Sequence, residues 1–78
     1  MIKPRLGRYQ HFKGKTYELI AIARDSETME EIAVYKADYD SPEFGKNALW
    51  VRPVKMFLEN VNSNGKEVPR FRFIEDAK

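Results

Sequence analysis

Apolar and polar residues alternate with a period of two through most of the chain, the pattern of a sheet that packs one face against a core. Over residues 7–12, Tyr9 and His11 fall on one side and Gln10 and Phe12 on the other, and the run stops at Lys13-Gly14, a tight-turn signal. Residues 15–24 set Tyr17, Leu19, Ala21 and Ala23 on one face and Ile20 and Ile22 on the other, which predicts a central strand, bent or covered on both sides. After the polar turn Asp25-Ser26-Glu27-Thr28, residues 31–37 place Ile32 and Val34 opposite Ala33 and Tyr35 and complete a second hairpin. A helix over residues 26–36 competes here, because Ser26 and the glutamates after it would cap and start one. Ile32, Val34 and Tyr35 fit a strand better.

Residues 37–47 lack periodicity and hold Asp38, Asp40, Ser41, Pro42 and Gly45, so they read as an exposed loop. Leu49 to Arg52 form a short strand ended by Pro53, which cannot donate to a ladder, and residues 53–57 read as one helical turn with proline first. Asn64-Gly65 marks a reversal that pairs the residues before Asn62 with a last strand over 68–74, where Phe71 and Phe73 share one face and Arg70 and Arg72 the other. The fold this predicts is mainly β: a small, bent SH3-like barrel of about five strands, with one short helical turn before the last strand. A rolled sheet packed against one helix is the alternative. Met56 and Phe57 would plug the barrel, Phe71 and Phe73 would join the core, and residues 1–5 and 76–78 would fray.

At 78 residues the chain holds one core and hence a single domain. With 42% hydrophobic residues, five Phe, four Tyr and one Trp, that core needs no metal or covalent staple. Cysteine is absent, which excludes disulfides and thiolate metal sites and makes a cytoplasmic location the expectation. The first seven residues carry charges and a proline where a signal peptide needs an apolar run, and no stretch is long enough to span a bilayer, so no membrane partner is expected. The net charge of +2 falls well short of an obligate nucleic-acid binder. Basic residues gather at Lys3, Arg5, Arg8, Lys13 and Lys15 and again at Arg52, Lys55, Lys66, Arg70 and Arg72, with acids at Asp25, Glu27, Glu30, Glu31, Asp38, Asp40 and Glu43 between them.

His11 is the only histidine, so no histidine pair or His-rich metal site can form. Ser26, His11 and Asp25 coexist without a nucleophile-elbow motif, and a hydrolase would need His11 beside a carboxylate such as Glu18 or Asp25. The acids at 25–31 lack the spacing and central glycine of a calcium loop, and the four glycines form no phosphate cradle; neither a cofactor nor a metal is expected. The candidate ligand-binding set is Tyr9, His11, Tyr35, Trp50, Arg52 and Arg70. Stacking rings beside guanidinium donors suit a carboxylate, a phosphate or an extended peptide. The competing reading makes Trp50 and Tyr35 core, with Arg52 and Arg70 laid over them. The leading expectation is a binding module for a peptide, a partner protein or an anionic small ligand. Single-stranded RNA binding and a small hydrolase using His11 are the alternatives, and both a monomer and an edge-paired homodimer fit.

Read together, residues 7–14 (Gly7 to Gly14), Tyr17-Glu18-Leu19, Ser26-Glu27-Thr28, Val34-Tyr35, Leu49-Trp50-Val51-Arg52-Pro53, Met56-Phe57 and Val68-Pro69-Arg70-Phe71 resemble a bacterial family known as domain of unknown function 1653 (DUF1653). The resemblance runs from about Gly7 to Ile74 and implies a free-standing, cytoplasmic, single-domain bacterial protein. The family often carries a histidine just before the Ser-Glu-Thr turn. Arg24 and Asp25 stand there in this chain, so this turn supplies no imidazole.

Overall fold

A computed structural model describes residues 4–76; Lys3 of the first basic group and the outermost residues expected to fray lie outside them. The elements in chain order are β1 (Gly7–His11), β2 (Thr16–Arg24), β3 (Glu31–Ala37), β4 (Asp40–Ser41), β5 (Gly45–Lys46), β6 (Leu49–Pro53), α1 (Val54–Phe57), β7 (Asn60–Ser63), β8 (Lys66–Pro69) and β9 (Phe71–Asp76). An antiparallel five-stranded sheet has the order β6-β3-β2-β1-β9, and β4–β5 and β7–β8 are separate two-stranded hairpins. The fold is mainly β. The sheet is not closed into a barrel, because β6 and β9 each pair on one side only. Its concave face is filled instead by α1, whose Val54 and Phe57 are buried.

Local chemistry explains where the elements fall. Pro53 ends β6 opposite Ile32 and caps α1, two places where a missing N–H costs nothing. Asn64 and Gly65 both take positive φ, 52° and 81°, the geometry of a two-residue hairpin turn. That turn joins β7 to β8 rather than to the last strand, which corrects the expected pairing. The chain breaks at Arg70, whose N–H donates to Glu59 O and whose carbonyl accepts from Phe12 N–H, and β9 then pairs with β1. The loop expected over 37–47 contains a short hairpin, β4–β5, with Ser41 Oγ accepting the N–H groups of Glu43 and Phe44. At the ends expected to fray, Pro4 is buried and Arg5 forms an ion pair with Asp76.

The strictly alternating reading of β2 fails at a bulge. Leu19 faces Tyr35 and Ala21 faces Val34, so Ile20 is left over and the two faces exchange beyond it. Ile22 therefore packs on the core, whereas Ala21 and Ala23 turn outward. The core comprises Tyr9, Leu19, Ala33, Tyr35, Val54, Phe57 and Phe71, with Tyr17, Ile22, Trp50 and Phe73 against it. Phe57 stacks on Phe71 at 4.3 Å with an interplanar angle of 8° and meets Tyr9 edge-on at 5.1 Å. Phe57 is thus the plug, whereas Met56 is 38% exposed.

Truncating Phe57 to Ala removes the partner of Tyr9, Tyr35 and Phe71 together and is expected to cost about 3–5 kcal/mol. In a domain of this size, that is most of the stability. Met56→Ala, at a partly exposed position, is expected to cost roughly 1 kcal/mol or less. Urea unfolding followed by far-ultraviolet circular dichroism checks both; equal costs would refute the plug.

Candidate functional site

Strand alternation and the bulge bring one row of side chains from every strand of the large sheet onto its concave face. α1 lies against β3 and β6, and beyond its cover the face opens into a groove of about 340 Å³. His11 comes from β1, Tyr17 from β2, Tyr35 from β3, Trp50 and Arg52 from β6, and Phe71 from β9. The segment between β3 and β6 supplies the opposite wall through Tyr39, Ser41, Glu43 and Phe44.

The walls are fixed mainly by ring packing. Tyr17 meets Tyr35, Tyr39 and Phe71 edge-on at 5.4, 5.5 and 5.8 Å, and its hydroxyl bonds that of Tyr39 at 2.6 Å. Burial, and then this bond, push the Tyr17 phenol far above its ordinary pKa, so it stays protonated. Phe44 stands at 82° to Trp50 with centroids 5.2 Å apart, forming a right-angled corner, and Phe44 is 59% exposed. The indole Nε1–H of Trp50 is buried without an acceptor.

Polar groups in the groove are chiefly donors. Arg52 donates through Nε to Tyr35 Oη at 3.4 Å, which orients the guanidinium. Among the described residues no carboxylate lies within ion-pair distance of Arg52. His11 accepts the backbone N–H of Lys13 at Nδ1 (3.2 Å), so its neutral ring carries the proton on Nε2. Burial lowers its pKa, and the positive charges of Arg70, Arg52 and Lys13 lower it further. Glu43 is the carboxylate on the lining.

Four of the six residues singled out from sequence, His11, Tyr35, Trp50 and Arg52, therefore line one groove. Tyr35 combines both expected roles, since its buried ring belongs to the core and its hydroxyl holds Arg52. Tyr9 does not line the groove. Its ring is buried between Phe57 and Phe73, and its hydroxyl donates to Arg5 O at 2.6 Å. Arg70 lies outside the lining, bonded to Glu59 at 3.2 Å, yet near enough for its charge to act on His11. The sequence reading missed Tyr17, Tyr39 and Phe44 as site residues. The available signal was the presence of two large rings, Tyr39 and Phe44, in an otherwise polar segment.

The carboxylates expected beside His11 lie elsewhere: Asp25 accepts the N–H groups of Glu27 and Thr28 within its own turn, which holds its carboxyl below the usual range, Glu18 lies 3.7 Å from Lys36, and the carboxylate that shares the groove with His11 is Glu43. Among the described residues, no group of three or more His, Asp or Glu side chains is placed to hold a metal, and no helix is long and apolar enough to cross a membrane.

The fold and groove define a small β domain with an open sheet and a ring-walled, donor-rich cleft on its concave face. The chain belongs to the family described as protein of unknown function (DUF1653), which matches residues 7–73. It is similar to the crystal structure of a protein of that family from Bordetella bronchiseptica, with a TM-score of 0.83 and 28% identity, covering 96% of this chain and 92% of that one. No curated protein matches the chain.

Because the pKa of His11 is lower in the folded chain than its unfolded value of about 6.5, the unfolded chain takes up the proton first on acidification. The stability contributed by neutral His11 is complete above roughly pH 6.5 and is lost as pH falls through the folded pKa. The wild type should therefore lose stability relative to His11→Phe between about pH 7.5 and pH 5. Urea midpoints of the two proteins across this range test it, and a pH-independent difference would contradict it.

Proposed function

We propose that this protein is a binding module whose concave groove holds an anionic ligand, with Arg52 as the charge that receives it and the surrounding rings as its contact surface. The observation that carries this reading is the contrast between Arg52 and the other arginines. Arg5, Arg8 and Arg70 are paired with Asp76, Asp38 and Glu59, and Arg24 and Arg72 bond the oxygens of Met29 and Gln10. Arg52 has only a long bond to a phenol and stands at the wall of a cleft. A guanidinium oriented through Nε offers its terminal N–H groups as a planar fork for carboxylate or phosphate. His11 Nε2–H adds a neutral donor to the same lining.

A cleft of this size, lined by rings and exposing chiefly polar atoms with a few convergent donors, falls in the volume range of small-ligand sites. Tracking of an extended nucleic-acid backbone is less favoured, because Arg5, Arg8, Lys36, Lys55 and Arg70 each have a carboxylate within ion-pair distance that competes with phosphate. A chain without cysteine suits a reducing, cytoplasmic setting for such a ligand.

Benzoate and phenyl phosphate, which join a ring to an anion, serve as probes, with benzyl alcohol as the neutral control. Titrated into ¹⁵N-labelled protein, the anions are expected to shift the amide signals of His11, Tyr35, Trp50 and Arg52, and the alcohol is not. Arg52→Gln is expected to weaken anion binding by about 10- to 100-fold, the loss of a charge-assisted bond worth about 1.5–3 kcal/mol. Shifts confined to other surfaces, or an undiminished affinity in the variant, would refute the proposal.

A further inference from the structure

Resting on the reading of the groove as an anion site, we propose that its ligand is a nucleotide unit, a phosphate joined to a flat base that bears an amino group. Three observations narrow the class. Seven of the ten lining residues carry aromatic or imidazole rings, a composition that suits a flat ligand better than an aliphatic peptide end. Phe44 and Trp50 make a right-angled corner, and Phe44 stays 59% exposed there. Such a corner stacks a planar heterocycle on one ring and abuts it with the other.

The third observation is the carboxylate of Glu43, which an unspecialised anion site would exclude as repulsive. Beside it, Ser41 Oγ already accepts two backbone N–H groups, so its own hydroxyl proton remains for donation. An acceptor and a donor on one wall match the edge of a base that carries an amino group next to a ring nitrogen, as in adenine or cytosine. In the register that sets the amino group at Glu43, uracil instead turns its O4 carbonyl toward the carboxylate and its N3–H toward the Ser41 hydroxyl, both mismatched. The phosphate belongs at Arg52 of the same lining.

This chemistry is met both by a free nucleotide and by the terminal nucleotide of a single strand. Calorimetric titration compares AMP, UMP, adenosine, inorganic phosphate and phenyl phosphate with a short oligoadenylate. The expected result is that AMP or the oligoadenylate binds at least about tenfold more tightly than UMP, adenosine, phosphate or phenyl phosphate, and whichever of the two binds more tightly identifies the source. Arg52→Gln should weaken that binding by about 10- to 100-fold. Glu43→Gln, at an exposed position where folding is not at stake, should erase most of the preference of AMP over UMP. If phenyl phosphate or UMP matches AMP, the nucleotide assignment falls while the anion groove stands. If none of these anions binds, both fall.

Discussion

The stack of Phe57 on Phe71 is the contact on which this structure depends. An open five-stranded sheet exposes one apolar face, and 78 residues leave little chain with which to cover it. A single helical turn does the work because the ring it carries lies flat on Phe71 and is gripped edge-on by Tyr9, with Tyr35 tilted against it. Each such aromatic pair adds about 0.5–1.5 kcal/mol beyond the burial of its area. The residues that close the core are therefore neighbours of those that line the groove. Tyr35 belongs to both sets, with its ring in the core and its hydroxyl on Arg52.

That economy explains the groove. α1 is one turn long and covers only the part of the concave face its side chains reach, so the rest of the face is left with rings whose edges are packed. The β4–β5 segment folds across to give this space a second wall, and Phe44 reaches Trp50. A guanidinium in such a place, without a carboxylate partner, has its charge only partly solvated and gains from any anion that enters. The neighbouring His11 avoids adding charge by remaining neutral.

Much of the strand pattern was legible because period-two alternation reports directly on burial. The run over 31–37 matches β3, and Leu49 to Pro53 followed by one helical turn was signalled by proline chemistry. Three features were not legible, each for a physical reason. The bulge at Ile20 leaves no composition signal in a β-branched run, so Ile22 and Ala21 were placed on the wrong faces. The two-residue strands β4 and β5 are too short to show periodicity. Closure is a tertiary property, and local pattern does not say whether the end strands of a curled sheet meet. In the site, alternation placed Trp50 beside Arg52 correctly, but it gave Tyr9 and His11 the same face without revealing that the helical turn buries one of them.

The most direct test of the central claim, that an anion seats on Arg52 within the ring-walled cleft, is a crystal structure of the protein grown with phenyl phosphate. The phosphate oxygens are expected on the terminal nitrogens of Arg52 and the phenyl ring against Trp50 or Phe44. An empty cleft, with the compound bound at the outer face of the sheet or nowhere, would contradict it.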